Sequence, residues 1–322
     1  MTRRDDATPA SPSADQITIA GGGTEAVVVT LGAALRTLTQ DGSPLVDGFT
    51  AEEAIPYGRG QLCIPWPNRI GNGRYTWDGV EIQAGLTEPG RMAALHGLAR
   101  WAIWEVRARA DDTVVLGYRL CPQDGYPFLV DFEISYSASA DGLAVALTAT
   151  NKGSTAAPYG FAAHPYLRVG DSHIDDCRLH LSARRVVLTD EVLLPREVVG
   201  VAGTDYDFTG AAPLAGRDVD NAYTDIEVDA DGLSWATLWG PGGSDATSMW
   251  WEASTCSWFQ VCTGDAFVPE WRRRGVALEP MTCPPNAFQT GQDVIRLEPG
   301  AESVVRWGIR RGARPGTAYP VS

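Results

Sequence analysis

"DFEISYSASADGLAVALTATN", residues 131–151, alternates apolar and polar side chains on both sides of Asp141-Gly142. An alternation of period two turns one face of an extended chain toward a core and the other toward water. Asp-Gly favours a hairpin, because glycine takes up the left-handed backbone without a steric cost. The stretch therefore reads as two antiparallel strands joined by a tight turn. Outward from it, "EAVVVTLGAALRTL", "RYTWDGVEIQA", "WAIWEVRARADDTVVLGYRL" and "SVVRWGIRRG" alternate in the same way, and Asp78-Gly79 divides the second of these as a further hairpin. The 35 glycines and 21 prolines are spread over the whole chain, as many short strands joined by turns require. No stretch carries the 3.6-residue periodicity of a long amphipathic helix. The expectation is an all-β protein, a large antiparallel β-sandwich. A length of 322 residues suggests about two domains, but no repeat or low-complexity linker marks a boundary, and one domain is expected.

The opening "MTRRDDATPASPSADQ" has charge and then Ser, Pro and Ala but no apolar segment, so residues 1–16 read as a disordered leader. A formal charge of -14 argues against nucleic-acid and anionic-membrane partners, which would repel the chain. No run approaches the roughly 20 apolar residues of a membrane helix. The six cysteines are scattered without a CxxC pair and read as free thiols of a reducing cytoplasm. The four histidines, His96, His164, His173 and His180, show neither HxH nor HExxH spacing. No glycine-rich nucleotide loop and no GxSxG elbow is present. The simplest chemistry left is acid–base work by histidine and carboxylate, with no metal and no cofactor.

Five residues stand out. Glu279 lies in "VALEPMTCPPNAFQTG" (276–291), at the expected end of an apolar strand and just before Pro280, Pro284 and Pro285. A carboxylate there is either a solvated turn residue or a positioned base. His164, in "APYGFAAHPYLRVG", is followed by a proline that fixes the backbone, and serves as a core histidine or as an acid. His96 sits beside a glycine in "ALHGLARWAIW", Arg69 in the Pro-stiffened loop "CIPWPNRIGNG", and Asp220 in the acidic "DVDNAYTDI". Arginine on such a loop donates in a fixed fork to carboxylates or sugar oxygens, or forms a surface ion pair.

The order of these segments resembles that of the aldose 1-epimerase (galactose mutarotase) family. The resemblance spans roughly residues 17–311 as one galactose mutarotase-like supersandwich, leaving 312–322 as a C-terminal tail. It implies interconversion of the α and β anomers of a free aldohexose, without cofactor or metal, by a cytoplasmic monomer or homodimer. By resemblance Glu279 is the base, His164 the acid, His96 a second active-site histidine, and Arg69 and Asp220 ligands of sugar hydroxyls. For His164 to donate at neutral pH, a nearby carboxylate is expected to raise its pKa.

Trp66, Trp250, Trp251 and Trp258 are candidates for stacking on a pyranose face, with core packing as their other role. "EWRRRG" (270–275) offers Arg272, Arg273 and Arg274, either as a solvated turn or as a cradle for a phosphate or sulfonate on C6 of the sugar. The second of these would make the substrate a phosphorylated or sulfonated hexose. Glycoside hydrolysis would need two carboxylates, Glu279 with Asp220 or Asp265, and would leave the histidine segments without a role. A non-catalytic sugar-binding protein on the same fold would tend to lose the acid or the base, and here both are present.

Overall fold

The computed structural model of the chain describes residues 11–314 together with 316 and 319. The hairpin of residues 131–151 forms from Val130–Ser139 and Gly142–Asn151, paired without interruption from Val130↔Asn151 to Ser139↔Gly142. Its two-residue loop is Ala140-Asp141, one position earlier than Asp141-Gly142, with Gly142 in the left-handed region at φ +103°. At Asp78-Gly79 the expected residues do form the turn: both have positive φ, and Trp77 pairs with Val80.

This hairpin lies in a nine-stranded antiparallel sheet with strands in the order 105–109, 113–120, 130–139, 142–151, 302–311, 246–252, 233–239, 178–181 and 212–213. A second sheet runs 195–200, 183–189, 220–226, 258–262, 276–281, 162–163 and 62–63, with 166–167 also paired to 276–281. A smaller, separate sheet of 16–21, 24–29, 35–40 and 43–44 packs against strands 113–120, 130–139 and 142–151 of the first. Phe132, Ile134, Leu147 and Trp307 of the first sheet share one buried cluster with Val186, Tyr223, Phe259 and Leu278 of the second. Trp251 stacks on Phe259 across the two sheets at 4.3 Å between ring centroids. The alternating pattern thus buries one face of each sheet against the other, which is what drives a sandwich together. The single α-helix among the described residues is the one-turn Ala287–Thr290.

Of the expected leader, residues 1–10 lie outside the described residues. Ser11–Gln16 do not behave as a disordered segment: Ser13 is buried, Ser11 hydrogen-bonds the Ala51 carbonyl, and Gln16 opens the first strand. Polar side chains here satisfy one another and the chain, so packing begins before the apolar pattern does. All six cysteines are free, and Cys121 is the exposed one. No helix of the described residues is long and apolar enough to cross a membrane.

Candidate functional site

The strands 220–226, 258–262, 276–281 and 162–163 are successive neighbours in the second sheet. Asp220 is opposite Cys262, and Gln260 is opposite Glu279. The strand carrying Glu279 does not end at it. Pro280 pairs with Phe259 and the strand continues to Met281, every residue of it buried. A ladder position facing away from the next strand needs no N–H, so proline is tolerated there. Glu279, 2% exposed, is therefore neither a turn residue nor a solvated one.

His164 follows the small pair Ala162-Ala163. Its backbone is pinned on both sides, its N–H donating to Gln61 and its carbonyl accepting from Gly60. Gly58, at φ +75°, passes so close that a Cβ there would touch the His164 ring at 3.5 Å. These constraints bring Nε2 of His164 to 3.3 Å from Oε1 of Glu279. The other polar atoms of the pair, His164 Nδ1 and Glu279 Oε2, are buried without a protein partner. Buried polar groups are nearly always hydrogen-bonded, so such orphans mark a place built for something else.

Burial moves the two groups in opposite directions. It pushes the Glu279 carboxyl well above its ordinary value, helped by the negative Asp220 nearby and opposed by Arg69. It lowers His164 to about 4, with the charges of Arg59 and Arg100 adding to the effect. The expectation that a carboxylate would raise the His164 pKa is thus corrected. Desolvation of the imidazolium outweighs the attraction of a carboxylate that is itself reluctant to ionise. Between the His164 value of about 4 and the raised Glu279 value, the two side chains hold one proton between them.

The pair opens onto a cavity of about 380 Å³, which Arg69, His96 and Asp220 also line. All five residues singled out in the sequence therefore meet in one place. His96, in the left-handed region at φ +58°, stands edge-on to His164 with ring centroids 5.1 Å apart. The backbone N–H of Asn68 donates to its Nδ1 at 3.2 Å. Burial and the neighbouring His164, Arg100 and Arg69 hold its pKa well below the usual histidine value. The ring is therefore neutral, and its proton sits on Nε2 as a donor. Arg69 grips Glu88 through both Nε and an amino nitrogen, at 2.6 and 3.1 Å, and Arg91 reaches the same carboxylate at 2.7 Å. Burial raises Glu88, but these two arginines outweigh it and keep the group below the usual carboxylate range. Asp220 accepts from Gln260 Nε2 at 2.7 Å.

Several residues of this cavity escaped the sequence reading. Asn68 stood in the quoted loop but gave no sign that its backbone N–H sets a tautomer. Glu88 and Arg91 carry no motif, Arg100 and Trp101 stood in the quoted His96 segment without being singled out, and Trp101, Phe267 and Tyr57 supply aromatic walls. The four tryptophans proposed for stacking do not line the cavity. Trp66, Trp251 and Trp258 are buried, with their indole N–H groups on Ala94, Cys256 and Asp293, and Trp250 lies in the sheet opposite Trp235. Local sequence does not tell an aromatic facing the core from one facing a cleft.

The three consecutive arginines are also engaged elsewhere. Arg273 is clamped by Asp175 and Asp265, Arg274 by Asp47 and the Trp271 face, and Arg272 donates to the Phe267 carbonyl. They brace the segment that follows Phe267 and do not line the cavity. Asp265 is spent on Arg273 and Thr263 in the same way, which removes it as a partner for Glu279.

Residues 15–309 match the sequence model of a family described as aldose 1-epimerase. The Escherichia coli K12 protein YihR, described as uncharacterized, is 36% identical over 289 residues, which span 89% of this chain and 90% of that protein. The GalM/aldose epimerase homologue of C. elegans superposes with a TM-score of 0.82 at 20% identity, covering 92% of this chain and 98% of the other. Galactose 1-epimerase from Lactobacillus acidophilus NCFM gives 0.76 at 18% identity, covering 97% and 98%. At these identities the two solved structures speak for the fold alone.

Proposed function

The chain belongs to the aldose 1-epimerase family, and on that premise we propose that it interconverts the α and β anomers of an aldohexose, with Glu279 and His164 as the reacting pair. The observation that carries this reading is the orphaned, buried His164–Glu279 contact at the floor of a cavity of about 380 Å³, a size within the range of small-molecule sites.

Ring opening needs the proton of the O1 hydroxyl removed and a proton delivered to the ring oxygen, O5. Glu279 takes the first and His164 gives the second, so the C1–O5 bond breaks to an open-chain aldehyde. Rotation about C1–C2 presents the other face. O5 then attacks C1 again, returning its proton to His164 while Glu279 re-protonates O1. No proton is gained or lost over the cycle. In the empty site burial favours the uncharged form, carboxylic acid and imidazole. Hydroxyl groups of a bound sugar replace lost hydration and favour the carboxylate–imidazolium form that the first step requires. The Nε2–H of His96 supports the developing charge on O5, and Asp220, held by Gln260, accepts from a sugar hydroxyl.

Anomer exchange, followed by polarimetry or exchange NMR on freshly dissolved α-D-glucose and α-D-galactose, tests the reading. Wild type accelerates approach to equilibrium and Glu279→Gln does not. A panel of neutral and charged aldoses that all equilibrate at the buffer rate would overturn it.

The proton shared by the pair fixes the pH profile. A second proton joins as pH falls through about 4, where His164 titrates, and the last one leaves only above the usual carboxylate range. The expected kcat/KM is flat between these limits and falls on both sides. An acid limb centred near the ordinary histidine value of about 6.5 would contradict the burial argument. Trp101 is 54% exposed at the mouth of the cavity, so Trp101→Ala is expected to raise KM by about tenfold with little change in kcat. Saturation kinetics by exchange NMR separate the two constants.

A further inference from the structure

Among the arginines that line the cavity, Arg69 and Arg91 are both paired with Glu88, whereas the side chain of Arg100 has no ion-pair or hydrogen-bond partner among the described residues. Its Nε is buried and unpaired, and its guanidinium lies 5.2 Å from the centre of the Trp101 ring, the one aromatic contact it makes. The Arg100 backbone is fixed: its carbonyl accepts from Gln61 Nε2 at 2.7 Å, and Gly32 packs so closely that a Cβ there would come within 2.5 Å of that oxygen. The Glu88 carboxylate acts on Arg100 only at a distance, and an arginine on a rigid turn, partly desolvated and without a direct ion-pair partner, is costly unless a ligand supplies the anion.

The rest of the site sharpens this. Arg69, Arg91 and Arg100 face two carboxylates, Glu88 and Asp220, outside the reacting pair. The cavity thus carries an excess of positive charge within a chain of net charge -14. We infer that the substrate is an aldohexose bearing an anionic group at C6, and that Arg100 binds that group. The inference rests on the anomer-exchange reading of this site and specifies its substrate class. The position follows from the chain: Arg100 is on the same short segment as His96, and the Nε2–H of His96 is assigned to support the ring oxygen beside the proton donor His164. The carbon bonded to that oxygen, C5, carries C6, so a C6 substituent extends from the His96 side of the ring toward Arg100. Phosphate, sulfonate and carboxylate all present oxygens that fit a guanidinium fork.

Exchange NMR on the full chain would compare D-glucose with glucose 6-phosphate, 6-deoxy-6-sulfoglucose and glucuronate at one ionic strength. At least one anionic sugar is expected to exceed glucose in kcat/KM by about tenfold to a hundredfold, the scale of one charge-assisted contact. The sugar preferred among the three identifies the anion. Arg100→Gln is expected to collapse that ratio toward one, and Arg100→Lys to keep part of it. Glucose turned over as well as every anionic sugar overturns the inference and leaves anomer exchange standing, and a ratio untouched by Arg100→Gln removes Arg100 from the role. No acceleration of any sugar, charged or neutral, overturns the reading on which it rests. The wild-type ratio decides the substrate class even if the Arg100→Gln protein does not fold.

Discussion

Glu279→Gln is expected to abolish anomer exchange and at the same time to make the protein harder to unfold at neutral pH. The loss of rate follows from chemistry, since an amide of nearly the same volume cannot take the O1 proton; a factor of about 10²–10⁴ or more is the scale of such a removal. The gain in stability follows from the sign of the pKa shift. Burial raises the folded-state pKa of Glu279 well above its value in the unfolded chain. The folded state then holds the proton more tightly, so the stability present below the ordinary value of about 4.5 is lost as pH rises through the folded value. Glutamine carries no such burden. Thermal unfolding of both proteins should give melting temperatures that agree near pH 4.5 and separate toward pH 8, the variant being the higher. A variant that is inactive but less stable at pH 8 would mean that the carboxylate is held by partners other than those seen here.

His164→Asn should lower kcat by about 10²–10⁴-fold, the contribution of a positioned general acid, while KM moves little. The backbone bonds of residue 164 to Gly60 and Gln61 do not involve the ring, so the loop keeps its place. The ring's stacking on Tyr166 and its edge contact with His96 are lost, at a cost of about 1–3 kcal/mol in stability. The residual activity should also lose the acid limb near pH 4, because the group that titrates there is gone. Single-turnover exchange measurements across pH separate this from a general loss of folded protein. An unchanged limb would assign it to another residue.

The fold was legible because its signal is repeated. Each hairpin buries alternate residues, and an error of one position at Ala140-Asp141 changed no facing side chain, since the alternation and not the turn fixes the register. The leader was misread at residues 11–16 because Ser11, Ser13 and Gln16 are ordered by hydrogen bonds to one another, which no apolar pattern announces. In the cavity the five named residues were accessible through segment order. The burial of Glu279 inside a strand was not, because a proline next to a carboxylate in sequence suggests an ending, whereas the ladder here runs through it. Charge pairing was harder still. "WRRR" reads as either a solvated turn or an anion cradle, and Asp47, Asp175 and Asp265 occupy two of its arginines from distant parts of the chain. The arginine without a partner, Arg100, is a single arginine inside the His96 segment, with nothing in the sequence to show that it is unpaired.

The residues proposed as the reacting pair and those proposed for the anion side are built on different kinds of backbone. Glu279 belongs to the interior of a sheet, and His164 to the two-residue link between strands 162–163 and 166–167, both of which pair within that sheet, so any shift must be shared by neighbouring strands. Arg100 and Trp101 sit on the three-residue turn Ala99–Trp101 at the rim, where replacing a side chain disturbs no ladder. Inherited variation can therefore change which sugar is recognised many times over while the proton chemistry stays where it is. Descendants of one such scaffold are free to diverge in diet before they diverge in reaction.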